Sequence, residues 1–267
     1  MNRKLFALLL VGAMVMGAFL AVAGCDFLKG PATTTAMVSI TKLTVATDAL
    51  YPPFESVDSV TSEIVGFDMD LMREIAKAGG FEVEFVNTPW EGIFVGLNNG
   101  NYDAVMSAVS ITPDRQKEYD FSDPYFTIYQ ALIVRKADAE KYKSLADLKG
   151  KKVGAQMGTT GDMFVEKNTD VQSVKYEDNA TALEALLKGD VDAVVCDDRV
   201  AFDYALVNPA FSDKLEVTNP KVNPEPEPYG ICIKKGNTKV LDMINTGLRA
   251  VTPEKLDEIK TKWNLLK

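Results

Sequence analysis

Gly100-Asn101-Tyr102-Asp103-Ala104-Val105, running on through Ser107-Ala108-Val109-Ser110-Ile111-Thr112 to Arg115, is nearly repeated later in the chain. The second copy is Gly189-Asp190-Val191-Asp192-Ala193-Val194, running on to Cys196 and Asp197. Each copy reads as a helix ended by glycine, a short buried strand and a polar loop at the strand's carboxyl end. In open α/β sheets, ligands bind at that end. One copy supplies a guanidinium and the other a carboxylate. A molecule held between them must itself carry an anion and a cation, as a free α-amino acid does.

Outward from these phrases, each copy closes a similar run. Leu43 to Thr47 alternates and is rich in β-formers, which predicts a strand, and Asp48 to Glu55, broken by Pro52-Pro53, predicts a loop. Phe67 to Ala76 is an amphipathic helix stopped by Gly79-Gly80, Phe81 to Val86 a strand, and Trp90 to Leu97 the helix before the first phrase. The second run has a helical turn at Leu145 to Leu148 and a strand at Lys152 to Gln156. The loop Gly158-Thr159-Thr160-Gly161 then opens a helix from Asp162 to Lys167. A strand from Val171 to Tyr176 and a helix from Asn179 to Lys188 complete it. Both runs are βαβαβ, the pattern of a mainly parallel sheet.

The chain continues with a stiff, extended stretch from Pro224 to Pro228, a strand from Tyr229 to Lys234, and helices from Thr238 to Thr246 and Pro253 to Trp263. We read this tail as returning to the first lobe, with crossings near Phe126–Tyr129 and Glu225–Tyr229. Two strands between lobes make a hinge. The expectation is therefore an α/β fold of two lobes, each a mainly parallel sheet flanked by helices. Lobe one takes residues 41–127 plus 229–267 and lobe two takes 128–228.

The amino terminus reads as a processing segment. Arg3 and Lys4 precede an uncharged, mostly apolar run from Leu5 to Ala23 and the small residues before Cys25. That is the pattern of a secretory signal over residues 1–24. An uncleaved membrane anchor is the alternative, since the run almost spans a bilayer. Residues 25–40, with Lys29-Gly30-Pro31-Ala32-Thr33-Thr34-Thr35, read as a flexible tether. Either reading leaves the rest of the chain outside the cytoplasmic membrane.

Composition excludes several functions. The net charge is −9 and becomes more negative once Arg3 and Lys4 are removed, which opposes nucleic-acid binding. Histidine is absent, so Ser-His-Asp or Cys-His catalysis and imidazole metal sites are not available. No metal or cofactor is expected. Besides Cys25 only Cys196 and Cys232 remain, either as a disulfide or as two buried thiols.

The chain resembles the extracellular solute-binding proteins of ABC importers for polar amino acids, family 3. The resemblance is carried by Asp48-x-x-Tyr51-x-Pro53-Phe54-Glu55, Gly66-Phe67-Asp68-x-Asp70-Leu71, Trp90, and Ser107 through Arg115. Phe121-Ser122-x-Pro124-Tyr125, Gly158-Thr159-Thr160 and Asp192-Ala193-x-x-x-Asp197 complete it. It spans nearly all of Thr41 to Lys267. It implies that Arg115 takes the ligand α-carboxylate, with backbone N–H groups of Ser110 or Thr112 and of Thr160. Asp197 takes the α-ammonium, with the Ser110 hydroxyl and the Ser107 carbonyl, although the neighbouring Asp198 is an alternative. Tyr51 and Trp90 sandwich the ligand side chain, and Asp48 meets its polar end with Gln156 as a second contact. Ala108 departs from the serine common in relatives.

The resemblance also implies a monomeric receptor, not an enzyme, whose partners are a free L-amino acid and the permease subunits of an ABC transporter. The Val22-Ala23-Gly24-Cys25 tetrapeptide resembles a lipobox, which implies a lipid on Cys25 and a membrane-tethered protein in the periplasm or at the cell surface. Asp48 with flanking aromatics favours arginine or lysine, then glutamine or histidine. The rivals are a cyclohexadienyl dehydratase on the same fold, with Glu55 as its general acid, and a sensory amino-acid-binding lipoprotein without a transporter.

Overall fold

The computed structural model describes residues 41–266; the signal, the tether and Cys25 lie outside them. The alternating segment forms β1 (Lys42–Thr47). Where the prolines predict a plain loop, the chain instead builds a small antiparallel sheet of β2 (Leu50–Tyr51), β3 (Glu55–Val57) and β4 (Ile64–Val65). Pro52 and Pro53 occupy its turn, where a fixed φ and a missing N–H cost nothing, while Tyr51 pairs with Glu55. Next come α1 (Phe67–Gly79), β5 (Glu82–Asn87), α2 (Trp90–Asn99), β6 (Ala104–Val105), α3 (Pro113–Glu118) and β7 (Tyr119–Phe121).

The second run supplies β8 (Phe126–Arg135), a 3-10 turn at Leu145–Leu148, β9 (Lys152–Gln156), α4 (Thr160–Lys167) and β10 (Gln172–Tyr176). It continues through α5 (Asn179–Lys188), β11 (Ala193–Asp197), α6 (Asp198–Phe202) and β12 (Leu215–Tyr229). β13 (Cys232–Lys234), α7 (Thr238–Ala250) and α8 (Pro253–Lys262) end the described chain.

The repeated phrases do the same work twice. Gly100 (φ 77°) and Gly189 (φ 86°) end α2 and α5 in the left-handed conformation that glycine adopts without steric cost. Asp103 and Asp192 then close the adjoining parallel ladder. Each accepts the backbone N–H of the strand beside it, from Thr44 at 2.8 Å and from Lys152 at 3.1 Å. The repeated phrase is thus structural at its start and chemical only at its end.

Two five-stranded sheets result, ordered β5-β1-β6-β13-β7 and β10-β9-β11-β8-β12. In each, three neighbouring strands are parallel, the fourth (β13 or β8) runs antiparallel to them, and the fifth (β7 or β12) pairs antiparallel with the fourth and so runs with the first three. The sheets are therefore mixed, because β13, β7, β8 and β12 enter from connections other than βαβ crossovers. The chain passes between the sheets along β8 and β12, which pair side by side through Phe126↔Tyr229, Thr127↔Pro228 and Ile128↔Glu227. Leu71, Met72 and Ile75 of α1 are fully buried in one core with Val45 of β1 and Ile244 of α7. In the second lobe Leu132, Val153, Val165 and Val195 form a core of their own.

Candidate functional site

The carboxyl ends of the parallel strands face one small cavity. Its wall takes Asp48 from the end of β1, Tyr51 from β2, Trp90 from the start of α2, and Ser107, Ala108 and Ser110 from the loop after β6. Arg115 of α3, Gln156 at the end of β9, Thr159 and Thr160 at the start of α4, and Asp197 at the end of β11 complete it. The structure therefore brings together every residue named from the resemblance except Thr112. Thr112 stands behind the wall as the N-cap of α3, where its hydroxyl accepts the Arg115 N–H at 3.2 Å.

Arg115 is half-buried and, among the described residues, makes no salt bridge. Its guanidinium donates to two neutral carbonyls, Ser110 at 2.9 Å and Gly158 at 3.2 Å across the cleft. The Trp90 and Phe94 rings lie 5.4 and 5.5 Å away. Burial pulls its pKa down from the ordinary value. A cation held in this way, with donors to spare and no anion, suits a two-pronged carboxylate.

Asp197 is almost fully buried. Oδ2 accepts the Tyr51 hydroxyl at 2.7 Å and the Tyr229 hydroxyl, and Oδ1 accepts Gln130 Nε2 at 2.6 Å. Burial pushes its carboxyl up to about 6, and the nearby charge of Glu227 adds to the rise. The alternative, Asp198, turns away: it accepts N–H groups from Tyr129 and Arg199 and lies 3.7 Å from the Arg199 guanidinium. Tyr51 thus lines the cavity with its ring while its hydroxyl ties β2 to β11.

At the other end Asp48 is 6% exposed, and burial pushes its carboxyl up to about 6. The Trp90 N–H and the Gln156 amide hydrogen-bond to it, while Asp178 and Glu177 raise it by repulsion. Gln156 is oriented for that bond because its Oε1 already accepts Asn179 Nδ2 at 3.2 Å. A neighbouring cavity shares Asp48 and Trp90 and is rimmed by Glu91, Glu177 and Asp178.

Three residues escaped sequence reasoning. Gln130 on β8 donates to Asp197 and also to Thr160 Oγ1 at 3.1 Å and Glu227 Oε2 at 3.3 Å. Its signal was a lone amide inside the apolar run Ile128 to Val134. Glu227 accepts the Ser110 hydroxyl at 3.1 Å, and Tyr229 reaches Asp197. Neither had a signal of a site, since Glu227 read as part of the stiff Pro-rich stretch and Tyr229 as the start of a strand. Glu55, considered as a general acid, is fully buried and does not line the cavity. Cys196 and Cys232 are both free and buried, and no described helix is long and apolar enough to cross a membrane.

Contacts from Tyr51 to Asp197, Arg115 to Gly158 and Ser110 to Thr160 join the two lobes around the cavity. The two lobes thus meet around one small polar cavity. The chain belongs to the bacterial extracellular solute-binding proteins, family 3, whose family model matches residues 43–266. It is similar to the probable histidine-binding protein of Neisseria gonorrhoeae, 41% identical over 224 residues, 82% of this chain and 81% of that one. It is also similar to the ABC transporter arginine-binding protein 1 of Escherichia coli (strain K12), 33% identical over 228 residues, 83% and 90% of the two chains. A solved ancestral arginine-binding protein bound to glutamine is 40% identical with a TM-score of 0.77, covering 84% of this chain and 98% of that one. These relatives are amino-acid-binding proteins named for binding rather than catalysis, and the family works outside the cytoplasmic membrane.

Proposed function

We propose that this protein is the receptor of an ABC importer for a cationic amino acid, arginine or lysine, held by lobe closure. The observation that carries the reading is the half-buried Arg115, which makes no salt bridge among the described residues, on one cavity wall with Asp48 and Asp197. Arg115 takes the ligand's α-carboxylate, aided by the N–H groups at the start of α4. Asp197 and the Ser110 hydroxyl take the α-ammonium. The ligand side chain passes Trp90 and Tyr51 to Asp48 and Gln156. A zwitterion with a neutral side chain leaves Asp48 and the acidic rim of Glu91, Glu177 and Asp178 unanswered, so a cationic tip is favoured. That arginine and histidine name the two curated relatives supports this choice. A lipid on Cys25 would tether the receptor beside its permease, and the receptor acts as a monomer.

Thermal-shift measurements against the twenty amino acids test the ligand. A ligand at a hundred times its Kd stabilises by about 2.7 kcal/mol, a shift of several degrees. Arginine or lysine should give the largest shift, with glutamine and histidine behind. A larger shift with glutamate or aspartate would overturn the cationic assignment.

A further inference from the structure

Behind the cavity wall lie two acids that line no cavity. Glu55 of β3 and Asp68 in the first turn of α1 are both 0% exposed. One oxygen of each is engaged. Glu55 Oε1 accepts the Ser107 hydroxyl at 2.9 Å, and Asp68 Oδ2 accepts the Ala108 N–H at 2.9 Å and the Tyr125 hydroxyl at 2.7 Å. The other oxygens, Glu55 Oε2 and Asp68 Oδ1, are buried with no N–H or O–H donor from the rest of the protein. The charge of Asp68 acts on Glu55. Two buried like charges acting on each other do not both ionise, and a proton on one carboxyl would give the two unpartnered oxygens the donor they lack. One shared proton closes the network.

What this pair grips is the cavity wall. Ala108 holds φ 47°, a left-handed conformation that is costly for a non-glycine residue, and the N–H it donates to Asp68 is part of what keeps it there. The Ser107 hydroxyl is engaged on both sides, accepting the Asp48 N–H at 3.0 Å while donating to Glu55. Asp48, Ser107 and Ala108 all line the cavity. Gly66 makes the pair's approach possible: a Cβ there would stand 1.9 Å from the Phe54 carbonyl oxygen, so only glycine lets α1 begin against β3.

We infer that Glu55 and Asp68 are a proton-sharing carboxyl pair that positions Asp48, Ser107 and Ala108, and so sets ligand affinity without touching the ligand. Asp48 from the β1–β2 connection, Tyr51 from β2 and Tyr125 ahead of β8 face the pair, and each is an acid. Burial pushes both carboxyls up, and the charge of Asp68 raises Glu55 further. An acid raised in the folded state contributes stability that is full below its unfolded pKa and is lost as pH rises through the folded value. The pair therefore weakens the fold on the alkaline side.

The affinity half of this inference rests on the amino-acid-receptor reading; the proton-sharing half does not. Infrared spectra of the full chain at neutral pH should show a protonated-carboxyl band that Glu55→Gln removes. Glu55→Ala and Asp68→Ala strand the Ser107 hydroxyl and the Ala108 N–H, and should lower arginine affinity roughly tenfold or more. Glu55→Gln, whose amide N–H replaces the shared proton, should recover most of the Glu55→Ala loss and flatten the alkaline fall in stability. Absence of the band overturns the pairing. Folded alanine variants that bind like wild type, or a glutamine variant as weak as the alanine one, overturn the positioning role. If the alanine variants do not fold, the band and the glutamine variant's alkaline profile still decide the pairing. A wild type that binds none of the amino acids would instead overturn the receptor reading and leave the band as the test of the pair.

Discussion

Replacing Arg115 with alanine should separate binding from folding. In the free protein the guanidinium hydrogen-bonds two carbonyls and lies near two aromatic faces, but it is a half-buried cation with no anion. Losing those ring contacts costs about 0.5–1 kcal/mol each, and removing an unpaired, partly desolvated charge offsets a similar amount. Stability of the ligand-free variant should therefore stay within about 1 kcal/mol of wild type. Binding is different. The ligand carboxylate would enter the cleft with its charge partner gone, a loss of about 3–5 kcal/mol for a buried pair. Because Arg115 is half-buried rather than sealed, the lower end applies, about 3 kcal/mol or roughly a hundredfold to two-hundredfold in Kd. Arg115→Lys should fall between, since one ammonium cannot serve both carbonyls and a two-pronged carboxylate. Titration calorimetry with arginine, beside urea unfolding without ligand, measures both quantities. An alanine variant that binds within about fivefold of wild type would refute the carboxylate clamp. One that unfolds several kcal/mol more easily would show that Arg115 is chiefly structural.

Three further outcomes follow from the same geometry. Asp48→Asn should weaken arginine more than glutamine, because an amide still hydrogen-bonds but no longer opposes a positive charge; equal losses in calorimetry would remove Asp48 from side-chain recognition. Asp48 and Asp197 are raised to about 6 in the ligand-free protein, and a bound cation favours their ionised forms. Ligand binding should then expel protons near pH 6, with affinity falling as pH drops through that value, while ligand-free stability from these two groups runs oppositely, full below about 4 and lost as pH rises through 6. Calorimetry in buffers of different ionisation enthalpy at pH 6 should reveal the released protons, and heats independent of the buffer would contradict the scheme. Gly66→Ala should destabilise the protein by about 2–5 kcal/mol in urea unfolding, from strained backbone and the clash with the Phe54 carbonyl together; a loss below about 1 kcal/mol would show that β3 and α1 can separate there.

Much of the fold was legible because its signals are local. Helix periodicity ended by glycine placed α2 and α5, and short apolar runs placed the strands that follow. The hairpin around Pro52-Pro53 was not legible, since its strands are two and three residues long and carry no period. The long β12 was only partly legible: Pro224–Pro228 read as a stiff extended stretch, yet the whole of Leu215–Tyr229 pairs with β8 through several register shifts. Strand direction was also beyond reach for β13, which joins the first sheet antiparallel between β6 and β7 because of where the chain returns.

In the cleft, Arg115 and Asp197 were legible because each follows a copy of the repeated phrase, whereas Asp48 and Trp90 came only from the family resemblance. The choice between Asp197 and Asp198 was not legible. It depends on which carboxylate the Tyr51, Tyr229 and Gln130 side chains reach, and those lie on β2, β12 and β8. Glu227 joins the site only because β12 runs back alongside β8, and Glu55 meets Asp68 only because Gly66 lets a strand and a helix touch. Local pattern reports what one turn or one strand requires. Charges that act on one another through a shared, buried space are set by where distant segments meet, and two copies of one phrase become a binding site only when the hinge brings their ends together.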